Sequence, residues 1–83
     1  MLLGVDMEML RQGPRVAVPS TVTNGKWWVF SETKSEMYAI GIIYNMAGDF
    51  VANKVDRVNG RLHSYFLGDT RSLNDALSLY REV

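Results

Sequence analysis

Apolar and polar positions alternate most clearly between Glu36 and Asn45. Tyr38, Ile40, Ile42 and Tyr44 fall on one face of an extended strand, and Met37, Ala39, Gly41 and Ile43 on the other. Both faces are apolar, which predicts a central strand with something packed on each side, because on an edge it would invite aggregation. Ala39 and Gly41 are small enough to let a helix approach their face. The polar or Gly-containing segments Ser31–Ser35 and Asn45–Asp49 read as hairpin loops.

Two Asn-Gly pairs punctuate the rest. Asn24-Gly25 lies between Arg15–Thr23 and Lys26–Ser31, and Asn59-Gly60 between Phe50–Val58 and Arg61–Leu67. Asn-Gly suits the two positive-φ positions of a type I′ turn, whose twist matches a hairpin. Tight turns at both pairs predict cross-strand partners. In the first hairpin Val22 meets Trp27 and Ser20 meets Val29, so Val18, Val22, Trp27 and Val29 form an apolar face, opposed by Thr21, Thr23, Lys26, Trp28 and Phe30. In the second, Val58 meets Arg61, Arg57 meets Leu62 and Asp56 meets His63. That places Val51, Val55, Leu62 and Phe66 together and leaves Lys54, Asp56, Arg61, His63 and Tyr65 on an outer face. Pro19 cannot donate to a ladder, so its strand is expected at an edge or with a bulge.

A competing pattern exists over residues 49–60. Val51, Val55 and Val58 also fit a helical i, i+4, i+7 stripe with Asp49 as N-cap and Gly60 as C-cap. The hairpin is preferred because β-branched valines and Asn-Gly agree there. At the start of the chain Leu3, Met7 and Leu10 suit one helix face, while Val5, Met7 and Met9 alternate as in a strand. The reading favours a short helix from Asp6 to Gln12 with Asp6 as N-cap, stopped by Gly13-Pro14. Towards the end Gly68-Asp69-Thr70 breaks the last strand. Ser72 and Asp75 have capping-box spacing, and Leu73, Ala76, Leu77 and Tyr80 make an amphipathic stripe. The acids near the helix start and Arg81 near its end suit the helix dipole. The expected fold is α+β: about five antiparallel strands in meander order, able to curl into a partly open barrel, with a C-terminal amphipathic helix and a short N-terminal helix or arm.

Composition narrows the setting. The chain has 83 residues, one domain over 1–83, and 47% hydrophobic content places it among globular chains. Nine acidic residues balance nine basic ones, so neither an acidic DNA mimic nor a binder held to nucleic acid by bulk charge is expected. There is no cysteine, which favours a reducing compartment and removes thiol catalysis and thiolate metal sites. Asp6 and Glu8 interrupt the apolar start, which lacks a basic flank, so it does not read as a signal peptide. The apolar run Tyr38–Tyr44 is far short of the ~20 residues of a membrane span. The expectation is an intact cytoplasmic protein.

Candidate chemistry is sparse. His63 and Ser64 are adjacent with Asp56 nearby, but neighbours on a strand point to opposite faces, so Ser64 cannot reach the imidazole. The carboxylates are scattered, the glycines fall singly, and one histidine without thiols makes neither a zinc site nor a cofactor cradle. No catalytic or metal-ligating residue and no cofactor is assigned.

Aromatic and basic residues say more. Trp27 belongs to the apolar face, whereas Trp28 and Phe30 share a more polar face with Lys26, as a covered second core or as a partner-facing patch. The second hairpin gathers Lys54, Arg57 and Arg61 with Tyr65, as a solvated face or one that tracks phosphates while stacking bases. Met1, Leu2, Leu3, Met7, Met9 and Leu10 form a third cluster, either gap-filling core or a dimer or partner surface. The function expected is a small non-enzymatic protein-binding module. By its size alone it suits a phage or mobile-element accessory protein that inhibits a host protein by contact. Its binding residues would be Lys26, Trp28, Phe30, Lys54, Arg57, Arg61 and Tyr65. The alternative is a small β-rich nucleic-acid binder using the basic, aromatic sheet face.

Overall fold

A computed structural model describes residues 9–31 and 39–81. Six antiparallel strands run in meander order: β1 (Leu10–Gln12), β2 (Arg15–Pro19), β3 (Lys26–Ser31), β4 (Ala39–Met46), β5 (Asp49–Val58) and β6 (Arg61–Thr70). A helix, α1 (Leu73–Ser78), lies against the sheet. The sheet stays open, with β1 and β6 at its edges, so the barrel closure is not formed. Among the described residues no helix is long and apolar enough to cross a membrane.

Where the expected N-terminal helix should end, the chain forms β1 instead. Leu10, Arg11 and Gln12 pair with Ala17, Val16 and Arg15 around Gly13, whose φ is +59°. A strand there satisfies backbone groups that one helical turn would leave open, and lets Leu10 pack against the core. The remainder of the proposed helix, including Asp6, lies outside the described residues, as do Met1–Met7 of the methionine cluster.

The first hairpin is also corrected. Pro19, not Val22, meets Trp27, and Ala17, not Ser20, meets Val29. The connection spans Ser20–Gly25 rather than a two-residue turn. Ser20 Oγ accepts from the amides of Val22 (3.2 Å) and Thr23 (3.1 Å), so a side-chain turn replaces further ladder. Val22 is consequently 90% exposed. The three-residue slip is odd, so it moves Val18 to the opposite face from Trp27 and Val29. Pro19 sits in an interior strand, yet Leu10↔Ala17 is the last β1–β2 pair, so its missing donor lies beyond the end of β1.

The β4–β5 turn is made by Ala47 and Gly48, both at positive φ (53° and 91°). The second Asn-Gly hairpin forms as expected: Asn59 and Gly60 carry φ of 52° and 76°, and Val58↔Arg61, Arg57↔Leu62 and Asp56↔His63 are partners. Gly68-Asp69-Thr70 does not break β6. The strand continues through it after a bulge that shifts the register between Ala52 and Asn53.

Cross-strand partners share a face, which sorts the sheet. Ala17, Val29, Ile43 and Ala52 point to α1 and are buried with Ala76, Leu77 and Tyr80. Trp27 and Phe50 pack against this core with ring centroids 5.7 Å apart. Ser72 caps the helix by accepting the Asp75 amide at 3.0 Å. Gly41 lets Tyr80 reach the sheet, where its hydroxyl lies 2.7 Å from the Asn53 carbonyl and 3.0 Å from that of Ile42. Burial pushes the Tyr80 hydroxyl well above the ordinary tyrosine range. A bulge opposite Val29 and Phe30 pairs Ala39 with Phe30, so Ala39 leaves the Gly41 face on which strict alternation had put it.

Candidate interaction surface

The face turned away from α1 has apolar content of its own. Register alignment makes a row of Val18, Trp28, Ile42, Asn53 and Phe66 across five strands. A neighbouring row holds Lys26, Tyr44 and Val51. Val16, Ile42 and Val55 are buried on this side, and Trp28 and Phe30 are half-buried. The expected sharing of one face by Val51, Val55, Leu62 and Phe66 holds, but it is the face opposite the helix.

Strand alternation in β3 sends Lys26, Trp28 and Phe30 to this side together. Lys26 Nζ lies 4.7 Å from the Trp28 ring centroid and 5.8 Å from that of Tyr44. Each aromatic face attracts the ammonium, and such contacts are worth about 0.5–1 kcal/mol where water has access. The outcome is a pair of aromatic rings sharing one cation.

The second hairpin carries the other group. Lys54 stands opposite Tyr65, Asp56 opposite His63 and Val58 opposite Arg61, all on the side of α1. Lys54 Nζ is 3.6 Å from Asp56 Oδ2 and 5.5 Å from the Tyr65 ring centroid. An ion pair this exposed contributes little to stability. Arg57 points to the other side, where Nη1 donates a long 3.5 Å hydrogen bond to the Ala39 carbonyl. The seven expected binding residues therefore do not form one surface. Lys26, Trp28, Phe30 and Arg57 occupy one face, and Lys54, Arg61 and Tyr65 the other.

His63 and Ser64 point to opposite faces, Ser64 standing across from Val55, so no Ser–His hydrogen bond can form on this strand. Among the described residues no three His, Asp or Glu side chains gather as metal ligands do. A pocket of about 280 Å³ opens between the Gln12–Arg15 turn and Leu77, Ser78 and Arg81. Its walls are a structural clasp. Arg15 donates from Nε to the Tyr80 carbonyl (2.8 Å) and from Nη1 to Ser31 Oγ (3.1 Å), while Gln12 holds Asn74 Oδ1 (3.0 Å) and accepts from Ser78 Oγ (2.6 Å).

Tyr44, Leu62 and Phe66 join the candidate surfaces without having been singled out as binding residues. Tyr44 meets Lys26 only through the β3–β4 register, which no turn motif announces. Leu62 and Phe66 are 54% and 67% exposed, although the sequence pattern grouped them with apolar residues. Comparison with protein-family models, with curated proteins and with solved structures found no match.

Proposed function

We propose that this chain is a small non-enzymatic protein-binding module whose partner packs on the sheet face turned away from α1. The observation that supports it most is the Lys26–Trp28–Tyr44 group: two aromatic side chains on adjacent strands with one ammonium near both rings. Aromatic side chains on rigid strands lose little entropy on binding and anchor interfaces well. The lysine favours a partner surface with a carboxylate beside an apolar patch. Inhibition of a host protein by direct contact is the form of that role which the small size of the chain suggests.

The nucleic-acid reading has less support. Its basic residues are divided between two faces, and Lys54 is already beside Asp56. The two readings separate by experiment. Under the protein reading, the tagged chain retains one stoichiometric protein from native lysate, and Trp28→Ala and Lys26→Glu each lose it while circular dichroism and melting behaviour persist. Under the other, an oligonucleotide binds at low salt with affinity that falls steeply as salt rises. Retention of the partner by both variants would overturn the proposed surface.

A further inference from the structure

The two edges of the sheet are unlike each other. β1 is three residues long and carries Arg11, which leaves little to extend. β6 is ten residues long, and Arg61–Phe66 are all exposed. Natural edges are commonly guarded by charge, proline, bulges or brevity; in Arg61–Phe66 the one formal charge is Arg61 at the turn end, there is no proline, and the β6 bulge falls beyond Phe66. We propose that β6 pairs antiparallel with β6 of a second copy, joining two sheets edge to edge about a two-fold axis at Ser64.

The register follows from the hairpin. In a two-residue turn of this kind the flanking pair Val58↔Arg61 is hydrogen-bonded, and bonded pairs recur every second residue. Arg61, His63 and Tyr65 thus turn their backbone groups towards β5. Leu62, Ser64 and Phe66 turn theirs outwards. A two-fold axis through Ser64 lets these outward groups bond to one another and sets Leu62 opposite Phe66 of the second copy, twice. Both side chains lie on the face away from α1, so each covers apolar surface that is exposed in the monomer. An axis at His63 or Tyr65 would oppose Leu62 to Ser64 or Gly68 and leave that surface uncovered. In the Ser64 register His63 meets Tyr65 and Arg61 meets Leu67, so no like charges face each other. Zero net charge adds no long-range repulsion between copies.

The test is oligomeric state with register. Sedimentation equilibrium of the full chain should give twice the 9.4 kDa chain mass at high concentration. Ser64→Pro removes an outward amide at an edge position, where proline is tolerated, and Leu62→Asp puts a carboxylate against the face of an aromatic ring at the junction. Both should give folded monomers, while Trp28→Ala should stay dimeric, which separates this interface from the partner-binding face. The chain has no cysteine, so single cysteines report position cleanly. Facing bonded residues in an antiparallel pair lie about 5.5 Å apart at Cα, within disulfide reach. Under copper-phenanthroline oxidation Ser64→Cys should cross-link several-fold faster than His63→Cys. A monomer at every concentration, a dimer that survives both junction variants, or faster cross-linking at position 63 would overturn the proposal.

Discussion

The ring of Tyr80 occupies the space that a Cβ on Gly41 would need, and such a Cβ would also lie 2.8 Å from the Asn53 carbonyl oxygen. Tyr80 is fully buried, so the clash cannot be relieved outwards. Gly41→Ala is expected to lower stability by about 1–3 kcal/mol through overpacking. Urea unfolding would read this as a lower midpoint. The penalty should shrink without vanishing when Tyr80 is also changed to alanine, because the ring contact is removed while the Asn53 carbonyl stays in place.

Tyr80 also makes stability depend on alkaline pH. An unfolded tyrosine ionises near pH 10. Burial raises the folded-state value above that, so the native chain holds its proton where the unfolded chain has lost it. The contribution is complete below about pH 10 and is lost as pH rises further, with a slope approaching about 1.4 kcal/mol per pH unit. Tyr80→Phe should remove this component. Parallel denaturation series of the two chains would check it, since other titrating groups are common to both.

Ala47 holds a left-handed backbone at φ 53° without the tolerance of glycine or asparagine. Ala47→Gly is expected to raise stability, by up to about 1 kcal/mol, because the strain of the turn exceeds the added chain entropy. Thermal melting should move upwards. An unchanged or lower melting temperature would show that the turn carries no such strain.

Arg15 fastens the segment after α1 to the sheet through the Tyr80 carbonyl and Ser31. Arg15→Ala should cost about 1–3 kcal/mol and speed amide exchange in the helix before it affects β4. Arg15→Lys should rescue little, because one ammonium cannot reproduce a planar fork that meets both acceptors.

Legibility followed the range of the determining contacts. The Asn59-Gly60 hairpin was readable because its turn, its valines and its partners lie within a few residues of one another. The helix was readable from the Ser72 cap and the Leu73–Tyr80 stripe. The first hairpin carries the same Asn-Gly pair and yet pairs in a different register. There Ser20 Oγ captures two amides and ends the strand early, and the odd slip reverses the side chains before the turn. β1 was hidden because three residues carry no period, and their strand form depends on Arg15–Ala17 across the turn. The candidate site was legible only in part. Alternation alone placed Lys26, Trp28 and Phe30 together, but grouping Arg57 with Lys54 by nearness in sequence overlooked that an odd spacing sends them to opposite sides.

The Arg15–Tyr80 clasp bears on the order in which the molecule assembles. Every neighbouring pair of strands is also adjacent along the chain, so the sheet can grow by closing short loops. The clasp instead joins groups 65 positions apart and carries the larger closure entropy. Loop-closure entropy thus predicts that residues 73–80 dock after the sheet has formed and leave first on unfolding, an order that amide exchange of the helix against β4 would check. In that order of events the surface over Gly41, which the Tyr80 ring covers in the native chain, faces water until the helix arrives.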